Sequence, residues 1–465
     1  MMLKRVHLWS VLATVLLVRL LSLGAYPLMD TTEARYGEMA RLMVETGNWL
    51  TPQFDYGVPF WGKPPLFTWM SAAGIEWFGV NEFAVRAPHW LAGVLVIALM
   101  VYFARRVGID ALITAVILAT CGVFAVAAGA VMTDMALTLG ISLAMAGFYL
   151  CWQGRKAWAY VGFVGLAIGL LAKGPLTIVL VGLAIFPWLL LRYGPVKMWG
   201  ELWHRIPLLS GTLLMLLIAL PWYLLAEQAT PGFLNYFIVG EHIKRFLVSG
   251  WEGDLYGSAH QRARGTIWLY WLYASAPWSF ILPVVLWFKR KQIVSWWNND
   301  GLLSFALFWM MSPLILFTFS GNILPAYVLP SVPALALILA MFLSRSDSQK
   351  LWFQITTWML PILLMLAVVF IEIGVSERKS DKALLAEADP NIAIFYVGKR
   401  PFSGQFYSKG QAKVLQQSRE LEKYQQVQLV GNSEQVEALL SSQKMDCVLV
   451  KTAASHRSLY QCRTP

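Results

Sequence analysis

The sequence predicts an α-helical protein that crosses a membrane many times and carries a small soluble α/β domain at its C-terminal end. Three observations predict it. Of 465 residues, 58% are hydrophobic and only 14% are charged, against roughly 25% charged in soluble domains. The apolar residues gather in runs long enough to span a bilayer. After Gly374 the composition turns polar. The 22 Trp, 25 Phe and 17 Tyr suit the interfacial belts of such a protein.

Taken in order, the apolar runs are 7–28, 83–103, 111–128, 135–152, 160–171, 176–191, 206–225, 266–288, 302–319, 325–343 and 351–374, about eleven spans. The run 160–171 is short and is expected to pair with the next across the Lys173-Gly174-Pro175 turn. Lys4-Arg5 before an apolar run resembles a signal peptide with Gly24-Ala25 near a cleavage site, but the run is long enough to span and reads as uncleaved. Arg19 lies inside this first span and receives no role.

Basic residues set the orientation. One set of loops holds Lys4-Arg5, Arg105-Arg106, Arg155-Lys156, Arg192 with Lys197 and Arg205, Lys289-Arg290-Lys291, and Arg345 with Lys350. The positive-inside rule makes this set cytoplasmic. The net charge of +11 resides largely in these short loops, so it marks topology and anionic lipid rather than nucleic acid. The alternate loops lie outside and hold 30–82, Asp134, Lys173, 227–265, Gly321-Asn322 and everything after Gly374. A membrane domain is thus expected over 1–375, with an outside juxtamembrane region at 30–82 and an outside loop at 227–265. The tail, 376–465, is expected outside as a small α/β domain, with strands at 392–397 and 447–451 and a helix at 433–441. Cys447 and Cys462 share that exported tail and are expected to form a disulfide, whereas Cys121 and Cys151 lie in spans. No CxxC, zinc spacing, glycine-rich phosphate loop or GxSxG occurs.

The polar clusters all fall on the outer side. Asp30 and Glu33 open a helical pattern at 31–46, with Tyr36, Met39, Ala40 and Met43 on one face and Arg35, Glu38, Arg41 and Glu45 on the other. Gly47 is a natural stop, so this reads as an amphipathic helix along the membrane surface. The two acids are either a capping box or chemistry. Lys63 sits in a Gly-Lys-Pro-Pro turn that cannot be helical. Asp134 is either the N-cap of the span 135–152 or a site carboxylate. Lys63 and Lys173 are either snorkelling anchors or ligands. The loop 227–265 carries Glu241-His242, Lys244-Arg245, Asp254 and His260. Glu241 and His242 are the candidate metal ligands, although adjacent side chains on one helix rarely chelate together. Together these groups answer one problem, attack on a lipid-linked phosphosugar. Cations hold the phosphate and stabilise its developing charge, and a carboxylate takes the proton of the attacking hydroxyl.

The residues Asp30-Thr-Thr-Glu33-Ala-Arg35-Tyr36, Gly47-Asn-Trp49-Leu-Thr-Pro52, Gly62-Lys63-Pro-Pro65, Asp134, Lys173-Gly174-Pro175, Glu241-His242-Ile-Lys-Arg245-Phe246 and Leu324-Pro325-Ala-Tyr327-Val-Leu-Pro330 are similar to the bacterial aminoarabinose transferases and their protein O-mannosyltransferase relatives, over roughly 8–343. The resemblance implies the GT-C fold and a polyprenyl-phosphate sugar donor used with inversion on the periplasmic face of the bacterial inner membrane. Its acceptor would be lipid A, another envelope glycan or protein. A transporter or flippase of lipid-linked sugars is the competing reading. Catalysis is expected from Asp30, Glu33 and Asp134, and donor-phosphate binding from Arg35, Tyr36, Lys63, Lys173, Arg245 and Tyr327. The donor is the one necessary small molecule, and a divalent metal is allowed but not required. Two departures stand out. Thr32 and Glu33 occupy the places of an Asp-Glu pair, with Asp30 displaced upstream, and Ile323 stands where a lysine often precedes Leu-Pro. That phosphate contact is expected to be either missing or replaced by Asn322.

Overall fold

The computed structural model describes residues 5–257, 260–298, 301–443 and 445–463, so Lys4 and Pro465 lie outside the described residues. Helices occupy all eleven apolar runs. The first half of the bundle comprises α1 (Val6–Ser22), α2 (Thr32–Thr46), α3 (Leu66–Phe78), α4 (Glu82–Arg106), α5 (Ala111–Ala119), α6 (Gly122–Ala127), α7 (Thr133–Trp152), α8 (Trp158–Lys173), α9 (Leu176–Arg205) and α10 (Leu208–Ala229). A π-helix, Asn235–Lys244, leads into α11 (Arg245–Leu247), α12 (Thr266–Ala274), α13 (Trp278–Phe288), α14 (Arg290–Asn298) and α15 (Leu302–Thr318). A 3-10 turn, Pro325–Ser331, then feeds α16 (Val332–Phe342), followed by α17 (Leu351–Phe370).

Among the described residues, six helices are long and apolar enough to cross a membrane alone, or eight if each bent pair is one span. The chain is therefore a multi-pass membrane protein. The eleven runs exceed that count because α1 and α8 are shorter and other runs are interrupted. Helices α12 and α13 meet at 90° at Pro277, and 111–128 divides into α5 and α6 at Thr120-Cys121. Backbone groups freed at membrane depth need partners inside the protein. The two breaks supply one another. The Gly122 amide donates to the Ala276 carbonyl at 2.9 Å, and Trp278 Nε1 donates to Thr120 Oγ1 at 3.0 Å. Arg19 does the same for the end of α6, donating to the carbonyls of Val126 (3.1 Å) and Ala128 (2.6 Å). That accounts for an arginine inside an apolar run.

The two ends of the bundle differ as the loop charges predict. At the basic end Asp110 pairs with Arg5 (2.5 Å) and Arg345 (3.2 Å), and Asp347 pairs with Lys350 (2.6 Å) and Lys289 (3.6 Å). At the other end lie α2, the hairpin of β1 (Gln53–Asp55) and β2 (Val58–Pro59), α3, the π-helix and the tail. Helix α2 ends at Gly47 in the left-handed conformation, as its stop signal implies. Its charged face is not free. Glu38 is buried and accepts from Arg41 Nε and Nη2, each at 2.7 Å, and Arg41 also pairs with Glu45.

The tail continues through α18 (Ser376–Lys379) and α19 (Lys382–Leu385) into a five-stranded sheet. Its order is β4 (Lys413–Val414), β3 (Ala393–Tyr396), β5 (Gln426–Asn432), β7 (Arg457–Arg463), β6 (Asp446–Thr452). Helices α20 (Phe402–Tyr407) and α21 (Ser433–Gln443) complete it. Strands β4, β3 and β5 are parallel, and β5, β7 and β6 antiparallel. Cys447 stands opposite Cys462 on β6 and β7, and the two are disulfide-bonded. Helix α20 seats the tail on the bundle. Phe406 packs into the core under α2, Arg400 and Gln405 hold Asp55, and the Tyr407 hydroxyl accepts from the Leu28 amide (2.7 Å) and donates to Glu82 (2.8 Å).

Two outcomes follow for the tail. Tyr407→Phe leaves the Leu28 amide without its acceptor, while Glu82 keeps Lys382 at 2.6 Å, costing about 1–3 kcal/mol, whereas Arg400→Ala breaks an ion pair whose Asp55 side is half-exposed, worth about 0–1 kcal/mol. Limited proteolysis should release the tail more readily in the first variant. Alkylation of unfolded, unreduced protein should label Cys121 and Cys151 alone, and reduction should add Cys447 and Cys462.

Candidate active site

Four stretches far apart in sequence build one polar cleft at the end of the bundle opposite the basic loops. Lys63 comes from the turn before α3, Lys173 from the last residue of α8, Glu241, His242 and Arg245 from the π-helix and its extension, and Tyr327 from the 3-10 turn. Leu176, Phe246 and Phe317 supply its apolar wall. Local sequence explains the placement. Pro64 and Pro65 keep Lys63 out of helix, and Gly174, at φ 79°, turns the chain sharply after Lys173. A π-helical stretch is a common way of aiming side chains at a site.

Glu241 is the hub. Its carboxylate accepts from Lys63 Nζ at 2.7 Å and from Arg245 Nη1 at 3.0 and 3.1 Å. Arg245 also pairs with Asp254 at 3.2 Å. Burial alone would favour the neutral acid, but Lys63 and Arg245 beside it hold Glu241 down at about 2. Beyond the hub, Lys173 Nζ lies 2.6 Å from Asp134 Oδ1 and 4.2 Å from the centre of the Tyr327 ring. Both members of that pair are buried, so Lys173 is no interface anchor. Asp134 does not cap α7, whose N-cap is Met132.

The acidic motif of α2 stands beside this cleft and does not line it. Neither acid forms the capping box, since the N-cap is Thr31 and no side chain caps it. Asp30 accepts from the backbone amide of Ser403 at 3.1 Å and from the Ser403 hydroxyl. Burial raises its pKa, and the two Ser403 hydrogen bonds oppose the rise. Glu33 is gripped by Arg86, Nε to Oε1 at 2.9 Å and Nη2 to Oε2 at 2.7 Å. Burial pushes it up, but the guanidinium prevails and its pKa is lowered. Arg86 also donates to the carbonyls of Leu23, Tyr26 and Pro27 at 2.7–3.0 Å.

The cleft therefore gathers Lys63, Lys173, Arg245 and Tyr327, with Asp134 directly behind it. Arg35 and Tyr36 fall elsewhere. Arg35 donates to the Tyr256 carbonyl at 2.7 Å and lies over the Tyr36 ring at 5.0 Å. Tyr36 is buried against Phe67. Asn322 lines the cleft, but its amide nitrogen is spent on the carbonyls of Arg245 (2.6 Å) and Val248 (2.8 Å), so it braces the loop instead of replacing a phosphate ligand. Glu241 and His242 do not fit a metal. The carboxylate is committed to two cations, and the ring nitrogens of His242 face the carbonyls of Phe237 (2.8 Å) and Lys173 (3.2 Å). Among the described residues no group of three or more His, Cys, Asp and Glu gathers to hold a metal. Sequence reasoning missed Arg86 and Ser403. An arginine inside an apolar run was the available signal for the first. Nothing local announces the second.

A helical membrane bundle with a cationic cleft at one end and a soluble domain seated beside it is the architecture of the GT-C membrane glycosyltransferases. The solved structure of ArnT from Cupriavidus metallidurans bound to undecaprenyl phosphate superposes with a TM-score of 0.78 at 20% identity, covering 97% of each chain. The family model of dolichyl-phosphate-mannose-protein mannosyltransferases matches residues 6–237. The chain is 31% identical over 358 residues to an undecaprenyl phosphate-α-4-amino-4-deoxy-L-arabinose arabinosyl transferase of Enterobacter sp., covering 74% of this chain and 60% of the relative. The corresponding transferase of Edwardsiella ictaluri is 31% identical over 360 residues, covering 75% and 61%. The matched stretch thus spans about three-fifths of the length of these curated relatives. Together these similarities support an ArnT-like membrane glycosyltransferase of the GT-C fold.

The low pKa of Glu241 has a pH consequence. Its contribution to stability is fully present above the ordinary value of 4.5 and is lost as pH falls towards about 2. The Lys63–Glu241–Arg245 triad should stay charged across neutral pH. Glu241→Gln should melt lower than the native protein at neutral pH, and the gap should narrow on acidification. Thermal unfolding across a pH series checks both.

Proposed function

We propose that the protein transfers a sugar from a polyprenyl-phosphate donor to an acceptor on the periplasmic face of the bacterial inner membrane, with inversion. Lipid A or another envelope glycoconjugate is the acceptor this reading favours, ahead of protein. The observation that carries it is the convergence of Lys63, Arg245 and Lys173 on one cleft at the end of a membrane bundle. An anionic headgroup can enter there while its tail stays in lipid. The acceptor hydroxyl attacks the anomeric carbon, the bond from that carbon to the phosphate oxygen breaks, and the hydroxyl proton passes to a carboxylate. Lys63 and Arg245 stabilise the charge that accumulates on the departing phosphate. Lys173, held by Asp134 and stacked on Tyr327, supplies a third positive charge. Arg35 has no carboxylate partner among the described residues and holds the Tyr256 carbonyl beside the Tyr36 ring. No metal step is proposed, since Glu241 and His242 are otherwise engaged.

The base is assigned to the acidic pair, with Asp30 favoured. Glu33, Asp134 and Glu241 each have a cation within 2.7 Å, which weakens them as bases. Among the described residues the Asp30 carboxylate has hydrogen bonds only from Ser403, and burial raises its pKa. A flippase would place its polar groups near the bilayer midplane. Here Arg19 is spent on carbonyls, and the working polar groups crowd one end.

Single-turnover assays of Asp30→Asn, Glu33→Gln and Asp134→Asn, with thermal melts alongside, test the mechanism. Asp30→Asn should lose about 10²–10⁴-fold in turnover while remaining folded. If only Glu33→Gln is dead, the base is Glu33. If all three keep near-native rates, the mechanism fails. A reporter active only in the cytoplasm, fused after Pro465, should be silent, and a bright signal would overturn the orientation.

A further inference from the structure

A cavity of about 360 Å³ opens at the basic end of the bundle, away from the polar cleft. Phe148 of α7, Phe163 of α8, Gly182 of α9 and Phe305 at the start of α15 lie around it. Its other lining side chains are aliphatic or aromatic too, and the indole N–H groups of Trp152 and Trp188 donate to Tyr193 and to the Gly301 carbonyl. Protein interiors leave few voids larger than a water molecule. Water is not retained where there are no polar groups to bind it. A space this large and this apolar, at membrane depth, calls for an apolar occupant.

Three features say which one. The cavity has a side open to the bilayer, where Ile178 and Phe186 are 44% and 48% exposed, so an occupant can enter laterally from lipid. At Gly194, with φ 73°, α9 changes direction, and the segment beyond it brings Met198 back to line the same cavity. Beside Met198 stand exposed Lys197 and Trp199, a cation and an indole of the kind that sit at headgroup level. Basic rims on pockets between membrane helices suit anionic headgroups. Lys197 has no carboxylate partner among the described residues.

We propose that this cavity seats one acyl chain of an anionic phospholipid from the leaflet at the basic end, with Lys197 holding the headgroup. The site is independent of the transfer chemistry, since it shares no residue with the cleft. Gly182 gives it a direct test. It lies within α9, and a Cβ built there meets nothing within 4 Å. Alanine fits without cost, while leucine projects into the cavity and competes with a chain for the space.

The full-length protein would be reconstituted in vesicles of phosphatidylethanolamine and phosphatidylglycerol, extracted in mild detergent and weighed by native mass spectrometry. The native protein and Gly182→Ala should each retain one phosphatidylglycerol, and Gly182→Leu should retain none. Lys197→Ala should still retain a lipid but no longer prefer phosphatidylglycerol over phosphatidylethanolamine. Adding phosphatidylglycerol to delipidated protein should raise the melting temperature of the native chain and leave that of Gly182→Leu unmoved. Ile185→Trp fills the same space from the next turn and should repeat the loss if Gly182→Leu fails to fold. Equal lipid retention by the native and filled variants, or no retained lipid on the native protein, overturns the proposal.

Discussion

Charge next to a bilayer is stable only where it is neutralised by a partner, and Glu241 is where this protein meets that requirement. One carboxylate holds a lysine from one end of the sequence and an arginine from its own helix. Without it, two cations would face each other across a cleft with apolar walls. With it, they stand ready for an anion at little further cost of rearrangement. The same logic repeats at Asp134 with Lys173 and at Glu33 with Arg86. Acids place the cations, so a positive field is already assembled at the cleft.

Much of this was readable from residue patterns, for identifiable reasons. Apolar runs report burial in lipid directly, so all eleven reappeared as helix, and the charge asymmetry of their loops sorted the two ends. The motif residues with fixed local geometry, Lys63 before two prolines and Lys173 before a glycine, landed in the cleft. What patterns could not supply was which way a side chain turns. Arg35 and Tyr36 carry suitable chemistry, yet α2 directs them towards Tyr256 and Phe67. Helix breaks at Thr120 and Pro277 were invisible because hydropathy averages over them. In the tail, β5 and β7 escaped because the sheet is closed by pairings between distant segments, which no local window contains.

The tail is more than an appendage. Short helix α20 delivers Ser403 to Asp30, Gln405 to Asp55 and Tyr407 to Glu82, three acidic points on the membrane domain. The height and tilt of the acidic motif are thereby set from both sides, by Arg86 in the bundle and by Ser403 above it. Separating the two domains by composition alone conceals this, since the polar tail and the apolar bundle share a single functional edge.

The paired helix breaks carry a consequence for biosynthesis. A ribosome delivers α5 and α6 to the membrane long before Ala276 and Trp278 exist. Until those residues arrive, the Gly122 amide lacks the carbonyl that the finished bundle provides, while the Thr120 hydroxyl already donates to Val116 in its own helix. Until then that amide needs a temporary partner, such as water. The last backbone group at this break is thus satisfied by a span synthesised much later, so packing here is completed only after α12 and α13 are in place.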